Sequence, residues 1–570
     1  MKASKRVITF REIRGASMLT RPMSVWDGFI YNFLSMGVIF PWAIIFGPGQ
    51  CPGAYLQWSI AIALLAQLPI SLAYSFLATL LPVNGGDYVY QTRAFGKLGF
   101  VSVMSGFVLW ILLWVALSGW LFACAGLAPL FLSLGIAFDV PSLTSFAVFL
   151  QGKQGVCIVS CLLVLGTVLV LLRGLRLYAR IQRVLFALTL FSIFTVIWVL
   201  HSHRASFDWE LDSFVKGLVG HLGDAVPAWV GQHSRFAEAV HQVADEPRSL
   251  LPSWLATSSW LATFGVVPMF WTSLQWATFS VEQNTEISLA DRFATQFFML
   301  FGSAVLVAIL LIVVVSCEEA AVPGSFMIDA SRAYMHLDDN ENFLRNILQP
   351  FPSVLAMAVA KSSLAKIIIA LGFLANAFQI TCNCFIGVSR ILLAMGGDRM
   401  LPTRMDLNSA STDRRAYARV LWLYFFLSLP VIVLYSFADH RIRDSASAAV
   451  TLACGYVFVG SCLAATRIPS ERLRNFWMCS EIYNVPARVI VSVGYVGAAC
   501  GLIMVLANLI LPIPGSASNI PLAIVVALVL MISYAAYLFA RSRRREVETR
   551  LGIVPAEMPL KESASDHEAL

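Results

Sequence analysis

The sequence predicts an all-α integral membrane protein with twelve transmembrane helices, and three observations predict it. Apolar residues make up 58% of the 570 residues and charged residues only 13%. Twelve apolar stretches are each about long enough to cross a bilayer. Lys and Arg are concentrated in alternate connections between those stretches. A soluble chain of this length needs more charge to solvate its surface, whereas a lipid bilayer accepts an apolar one.

The apolar stretches set the number and bounds of the predicted helices. A helix needs about 20 mainly apolar residues to cross the hydrocarbon core. The third and eighth stretches are longer than a straight crossing requires, which predicts tilt or continuation beyond the membrane. Numbered as spans 1 to 12, the stretches cover residues 25–46, 55–80, 99–133, 155–173, 178–201, 259–281, 294–317, 364–394, 418–438, 445–466, 487–511 and 520–540.

Positive charge predicts the orientation. With the N-terminus in the cytoplasm, 29 of the 40 Lys and Arg residues lie in cytoplasmic segments and 11 lie outside them. This asymmetry follows the positive-inside rule, so both termini are expected in the cytoplasm of a multi-pass protein of the cell (plasma or inner) membrane. The lipid bilayer is then the expected partner. The net charge of +7 is explained without nucleic acid.

The chain is expected to form one membrane domain over residues 25–545. A cytoplasmic segment over 1–24 precedes it and a polar cytoplasmic tail over 546–570 follows it. Residues 202–258 and 318–362 are long polar outer connections, in which short amphipathic helices are expected. No small-residue cleavage site follows the first apolar run, so no removable signal peptide is predicted.

The centres of the predicted spans contain no Asp, Glu, Lys, Arg or His; Asp27, Lys366 and Glu282 lie near span ends. Charge inside a membrane is costly and usually marks a proton relay or a cation site, so a carboxylate relay at the midplane is not expected. Most of the eleven cysteines lie in apolar stretches, and the histidines have no compact metal-binding spacing. No metal or other cofactor is predicted, which counts against a membrane enzyme.

Two spans contain residues that weaken a helix. In span 1, Gly37 is a poor helix former and Pro41 has no N–H to donate to residue 37. In span 6, Gly265 and Pro268 precede a polar and aromatic run over 270–275. A simple proline kink explains either feature alone. Broken helices at corresponding positions of two halves are typical of a transporter site, and spans 1 and 6 each begin a set of five.

The most specific motifs lie in two cytoplasmic connections. After span 2, residues 82–88 read Pro-Val-Asn-Gly-Gly-Asp-Tyr, with Arg93-Ala94 shortly afterwards. After span 8, residues 389–402 read Ser-Arg-Ile-Leu-Leu-Ala-Met-Gly-Gly-Asp-Arg-Met-Leu-Pro. Both resemble motifs of the amino acid–polyamine–organocation (APC) superfamily at the same places in the chain. Glu282-Gln-Asn is similar to the superfamily's Glu-x-Lys-Asn-Pro, but it lacks the Lys and the Pro.

This resemblance to amino acid permeases covers roughly residues 25–510 and implies a fold. The fold is the inverted five-plus-five repeat of the bacterial leucine transporter, with repeats at about 25–201 and 259–466 and helices 11 and 12 at 487–540. Helices 1 and 6 would be unwound around the substrate, and helices 3 and 8 would form a scaffold. The gating or scaffold residues implied by the loop motifs are Gly85, Gly86, Arg93, Glu282, Arg390 and Asp398.

The resemblance also implies a substrate site at the two breaks. A substrate carboxylate would meet backbone N–H groups near Ser35 and Gly37, and a substrate ammonium would meet carbonyl groups freed in helix 6. Met36 stands where the family has a small residue and changes the shape of the carboxylate pocket. The implied substrate-binding residues are Ser35, Met36, Gly37, Phe270, Trp271, Thr272 and Ser273.

The coupling ion is left open between proton and sodium. Some family members have a Lys in helix 5 where sodium-driven relatives hold an ion. That position is here Thr189, so a lysine proton switch is not expected. Helix 8 contributes Asn376, Gln379 and Asn383, which either line an ion site or hydrogen-bond with one another between helices.

We therefore expect a secondary active transporter, a symporter or antiporter, for a small amino acid. The charge-free centre favours a neutral, zwitterionic substrate. A transporter of a polyamine, an amine or another organic cation is the alternative, because aromatic faces bind cations without a carboxylate, and an amino acid exchanger also fits. A membrane enzyme or a receptor is disfavoured. The oligomeric state is not indicated by the sequence.

Cysteine accessibility tests the predicted topology. A thiol reagent that cannot cross the membrane should label single cysteines placed within 202–258 or 318–362 when it is added to sealed cells. A cysteine at position 550 should react only after the cells are opened, because the positive-inside rule places the tail in the cytoplasm. Labelling of position 550 in sealed cells would contradict this topology.

Overall fold

The structure is a computed structural model that describes residues 21–38, 42–223, 226–244, 258–337, 343–398, 400, 414–510 and 520–550. Most of the predicted N-terminal segment and C-terminal tail lies outside these ranges. Regular structure in the described ranges is helical, apart from two isolated β-bridges.

The helices are numbered here in chain order. The first eleven are α1 Val25–Ser35, α2 Trp42–Gln50, α3 Leu56–Leu80, α4 Gly86–Phe95, α5 Lys97–Ala137, α6 Pro141–Gln151, α7 Lys153–Leu172, α8 Leu175–His203, α9 Phe207–Leu222, α10 Ala228–Gly231 and α11 Phe236–Ala244. The others are α12 Ser259–Leu274, α13 Phe293–Ala321, α14 Gly324–His336, α15 Phe343–Asn346, α16 Pro352–Val359, α17 Ser363–Gly397, α18 Arg414–Phe437, α19 His440–Ala465, α20 Glu471–Met478, α21 Ala487–Ile510 and α22 Ile520–Arg550. Three 3₁₀ stretches cover Gln275–Glu282, Asn284–Glu286 and Glu481–Asn484.

Nine of the described helices are long and apolar enough to cross a membrane. They coincide with predicted spans 2 to 5 and 7 to 11. Span 1 is divided between α1 and α2, and span 6 is divided between α12 and the 3₁₀ stretch that follows it. Span 12 falls in α22, in which Val526–Ser542 is a shorter apolar helix.

Spans 3 and 8 are longer than a straight crossing, as predicted. α5 contains 41 residues and α17 contains 35, so at 1.5 Å per residue α5 is about 60 Å long, twice the thickness of the hydrocarbon core. Two π-helical turns, Met104–Val108 and Phe122–Leu127, interrupt the regularity of α5. A π-turn is rare and is frequent at functional sites.

Contacts between the spans repeat after a shift of five. α3 packs against α12, which joins spans 2 and 6, and α13 packs against α1, which joins spans 7 and 1. In the same way α5 packs against α18 (spans 3 and 9), as α17 packs against α7 (spans 8 and 4). Two halves with the same internal contacts are what an internal repeat produces.

The two long connections contain short helices, as predicted. The first connection contains α9 and α11, and the second contains α14 and α16. α14 packs against α2 and α11, while α16 packs against α8 and α17. These helices therefore cover one end of the bundle.

α8 and α17 pack closely because small side chains lie between them. A Cβ atom added at Gly372 would be 2.0 Å from the Cβ of Ser192 and 2.9 Å from the carbonyl oxygen of Leu188. The Ser192 hydroxyl donates a hydrogen bond to the carbonyl oxygen of Ile369 (2.9 Å). Glycine at the contact and a hydroxyl bond across it are typical of helix pairs in membranes.

Gly372→Val should destabilise the protein, because the added atoms cannot fit against Ser192 unless α8 moves away from α17. Overpacking of this kind costs about 1–3 kcal/mol, so the midpoint of thermal unfolding in detergent should fall. Gly166→Ala is the matched control, since no atom lies within 4 Å of a Cβ added there. A Gly372→Val protein that unfolds at the parent's temperature would show that the two helices are not in this contact.

Candidate functional site

The interruption predicted in span 1 is present. α1 ends at Ser35, and Gly37 has a φ angle of 62°, in the left-handed region that favours glycine. The N–H of Met36 donates to the carbonyl oxygen of Asn32 (3.2 Å), and the next described helix, α2, begins at Trp42. Pro41, which contributed to this prediction, lies outside the described residues.

The interruption in span 6 lies later than predicted. Gly265 and Pro268 are inside α12, which continues to Leu274 before it tightens into the 3₁₀ stretch. The prediction of a break at Gly265 and Pro268 is therefore wrong. A proline removes one backbone hydrogen bond without ending a helix whose neighbours hold it, and α3 holds this one: the Ser59 hydroxyl donates to the carbonyl oxygen of Thr263 (2.8 Å).

Asn32 joins the two interrupted spans. Its Oδ1 accepts a hydrogen bond from the N–H of Ser280 (2.8 Å), and its Nδ2 donates to the Ser280 hydroxyl (2.9 Å) and to the carbonyl oxygen of Met299 (3.0 Å). Both Asn32 and Ser280 are fully buried. One amide thus binds α1 to the 3₁₀ stretch and to span 7. The sequence patterns did not predict this contact, although an amide within an apolar span was a usable signal.

Amide side chains of α17 bind the carbonyl groups at the end of α1. Asn376 Nδ2 donates to the carbonyl oxygen of Leu34 (2.8 Å). Asn383 Nδ2 donates to the carbonyl oxygen of Tyr31 (3.1 Å) and to the Ser35 hydroxyl (2.6 Å). Carbonyl groups that a broken helix leaves free inside a membrane must find such donors.

Three of the predicted coupling residues, Asn376, Gln379 and Asn383, lie on α17 around these bonds. Gln379 Nε2 donates to Asn383 Oδ1 (3.0 Å), so the amides of α17 do bind one another. Three buried oxygen atoms have no hydrogen-bond partner among the described residues: Asn376 Oδ1, Gln379 Oε1 and the hydroxyl oxygen of Thr189 in α8. The amides therefore satisfy each other and α1 while leaving oxygen atoms unpaired. A role in ion coupling stays a prediction.

The predicted substrate residues of span 6 lie in the last turn of α12. Phe270 and Trp271 are fully buried, and the indole N–H of Trp271 donates to Gln67 Oε1 of α3 (3.1 Å). Thr272 and Ser273 are half-buried, and the Thr272 hydroxyl donates to the carbonyl oxygen of Met269 within the same helix (2.6 Å). The Trp271 side chain is thus engaged with α3.

Aromatic rings from four spans lie together at the 3₁₀ stretch, a cluster that the sequence patterns did not predict. The Trp276 ring stacks on that of Trp114 (5.7 Å between centroids) and meets Phe279 edge to face (5.3 Å). Phe279 is 5.9 Å from Tyr31 of α1. We call this set the aromatic cluster; its members are Tyr31, Phe107, Trp114, Trp276, Phe279 and Phe458.

The glycine motif after span 2 is bound to the end of span 6. The N–H of Gly85 donates to the carbonyl oxygen of Glu282 (2.9 Å), and the N–H of Thr285 donates to Asn84 Oδ1 (3.1 Å). Gly85 has a φ angle of 77°. A Cβ added at Gly86 would lie 2.7 Å from the carbonyl oxygen of Val281, so the approach requires glycine.

Ion pairs surround the same contact. Arg390 binds Glu286 (2.5 Å) and Arg93 binds Asp398 (3.0 Å). Burial raises the pKa of Glu286, and the charge of Arg390 opposes that rise. The six residues predicted as gating or scaffold residues thus lie at one end of the bundle: Gly85, Gly86, Arg93, Glu282, Arg390 and Asp398.

Apolar spans with two interrupted helices bound at their breaks define a membrane transporter for a small solute. The chain matches the amino acid permease family over residues 29–533, and it therefore belongs to that family. This confirms the resemblance to APC permeases, and it makes the chain a multi-pass membrane protein of a family that transports amino acids or related organic solutes. The family is one of transporters, not of enzymes.

The chain is also similar to a viral protein, Uncharacterized protein 399 of Sulfolobus islandicus rod-shaped virus 1. The two are 26% identical over 260 residues, which cover 45% of this chain and 55% of the viral protein. The match thus spans about half the length of that relative, and its name states no activity.

Asn32→Ala should destabilise the junction of spans 1 and 6, because the N–H of Ser280 would be left buried without a partner. Such a group costs about 1–3 kcal/mol, so the thermal midpoint and the rate of solute uptake should both fall. Ser303→Ala is the matched control, since the Ser303 hydroxyl binds the carbonyl oxygen of Met299 within its own helix (2.7 Å). Equal midpoints for the two variants would contradict a joining role for Asn32.

Proposed function

We propose that this protein is a secondary active transporter that moves a small, neutral, zwitterionic amino acid across the cell membrane by alternating access. The observation that carries the proposal is the interrupted α1 packed against the 3₁₀ stretch of span 6. Residues 28–38 and 259–281, which form this junction, contain no charged side chain and no histidine. A substrate bound here must satisfy its own charges with uncharged groups.

Such a substrate would carry both charges itself. A carboxylate fits the start of α2, the half-helix that follows the break at Gly37, because the first N–H groups of a helix have no partners within it. An ammonium group fits carbonyl oxygens of the tightened 3₁₀ stretch together with the faces of the aromatic cluster. A zwitterion meets both requirements at once, whereas an anionic or a cationic amino acid leaves one charge unmatched.

Alternating access is supported by the repeated contacts and by the position of the loop motifs. The shift of five in the packing of the spans favours twelve helices arranged as an inverted five-plus-five repeat, with both termini in the cytoplasm. The loop over residues 84–87 closes on residues 281–285 at one end. Opening and closing there, with the short helices α9, α11, α14 and α16 at the other end, would expose the junction to each side in turn.

An organic cation is the second candidate substrate, and the aromatic cluster favours it. Stacked and edge-on rings present π-faces that bind an ammonium group without a carboxylate. Uptake into proteoliposomes with a panel of labelled neutral, acidic and basic amino acids and polyamines separates the candidates. Saturable uptake of a neutral amino acid supports the proposal, and uptake restricted to amines would replace it with the cation transporter.

Trp276→Ala should weaken substrate binding, because the ring stacks on Trp114 beside the junction. Loss of a large buried side chain from a binding site costs about 1.5–3 kcal/mol, which is about tenfold or more in the dissociation constant. Equilibrium binding to the purified protein measures this change. Trp198→Ala, in the exposed part of α8, is the matched control. Unchanged affinity in Trp276→Ala would place the substrate away from the aromatic cluster.

A further inference from the structure

Two buried carboxyl groups meet where α4 joins the end of span 6. Asp87 lies in the first turn of α4 and Glu282 ends the 3₁₀ stretch; the two residues are 1% and 0% exposed. Glu282 Oε1 accepts a hydrogen bond from the N–H of Asp87 (3.1 Å). The Glu282 carboxyl group therefore lies against the first turn of α4, next to the Asp87 residue. The proposed substrate site uses neither group.

One oxygen of each carboxyl group has no partner among the described residues. Asp87 Oδ1 accepts hydrogen bonds from the hydroxyl groups of Tyr74 in α3 and Ser461 in α19. Asp87 Oδ2 and Glu282 Oε2 are buried and accept none. Two ionised carboxylates have no hydrogen to donate, so these two oxygen atoms can pair with each other only if one carboxyl group holds a proton.

No basic side chain in the described ranges neutralises the charge of this pair. The nearby Arg390 binds Glu286, and no Lys, Arg or His side chain of the described ranges forms an ion pair with Asp87 or Glu282. Two adjacent carboxyl groups cannot both be ionised when they are buried without a neutralising cation, so one of them keeps its proton. The other titratable groups facing the pair are the phenols of Tyr31, Tyr74 and Tyr90 and the thiols of Cys454 and Cys462.

We infer that Asp87 and Glu282 form a proton-binding site that holds the cytoplasmic end of the transporter closed. The inference rests on the proposed function and assigns a proton to the gate. With the proton bound, the two carboxyl groups hydrogen-bond and keep the glycine loop against residues 281–285. When the proton leaves to cytoplasmic water, two negative charges remain in contact, and their repulsion separates α4 from the end of span 6.

The direction of the pH dependence follows from the burial. Burial raises the pKa of Asp87 from its ordinary 3.8 to about 6, and burial together with the charge of Asp87 raises the pKa of Glu282 well above its ordinary value. Raised pKa values mean that the closed form binds protons more tightly than the unfolded chain does. The stabilisation is therefore complete at pH below the ordinary values and is lost as the pH rises through the raised values, from about 6 upward. Closure should weaken in that direction.

Thiol labelling of the full chain in inverted membrane vesicles tests the gate without substrate. Val281→Cys places a thiol beneath Gly86, where residue 281 is buried in the closed form, while the native Cys479 is exposed and reports the reagent's own pH dependence. The ratio of the labelling rate at position 281 to that at Cys479 should rise several-fold from about pH 5 to about pH 8, across the raised carboxyl titration.

Two substitutions should remove this pH dependence, because an amide has no acidic proton to release: Asp87→Asn and Glu282→Gln. Asp291→Asn is the matched control. It makes the same change in a carboxylate on the same face, paired with Arg21 (3.7 Å), and should keep the parent's profile. A pH-dependent ratio that survives both substitutions at the pair would overturn the inference.

Infrared difference spectroscopy of the unsubstituted protein keeps the test decisive if a variant does not fold. A protonated carboxyl group has a C=O stretching band, and the intensity of this band should fall from about pH 5 to about pH 8. A spectrum without that change would overturn the inference. Neither measurement uses a substrate. Absence of uptake across the substrate panel would therefore count against the proposed function alone, and absence of the pH-dependent changes would count against the proton site alone.

Discussion

A broken helix inside a membrane is stable only if other groups bind the backbone atoms that it leaves free, because no water is present to do so. In this protein the amide side chains of α17 bind the carbonyl groups of Tyr31 and Leu34 at the end of α1. Asn32 then binds α1 to the 3₁₀ stretch. The close packing of α8 against α17 keeps the donors in place, so the junction depends on a scaffold that does not itself bend.

Charge is confined to the ends of this structure. The junction of spans 1 and 6 contains only uncharged groups, whereas the glycine loop is surrounded by the pairs Arg390–Glu286 and Arg93–Asp398. Separating charges costs less at an end of the bundle, where water can reach them, than at the membrane centre. In the proposed mechanism, uncharged dipoles at the centre therefore bind the substrate, and charged groups at the gate take part in opening and closing.

Apolar run length predicted nine spans to within a few residues, and Gly37 located the break in span 1. The sequence could not locate the change in span 6, because contacts from α3 carry α12 past Pro268. Nor could it predict that Asn32 binds Ser280, 248 residues away. The aromatic cluster and the meeting of Asp87 with Glu282 likewise depend on how distant spans pack, and no local pattern encodes that. Local signals located the interruption in span 1 and left open which distant residues each interrupted span contacts.

The π-turns of α5 have a consequence for the register of its side chains. A π-turn holds one residue more than an α-helical turn, and each residue of an α-helix advances the chain by about 100° around the axis. The segment Ile111–Leu121 between the two turns is therefore rotated relative to both flanking segments of α5. Counting in steps of 3.6 from either end of α5 assigns Trp114 to the wrong face. Deletion of one residue within Met104–Val108 would convert this π-turn into a regular α-helical turn. The Trp114 ring would then rotate away from Trp276.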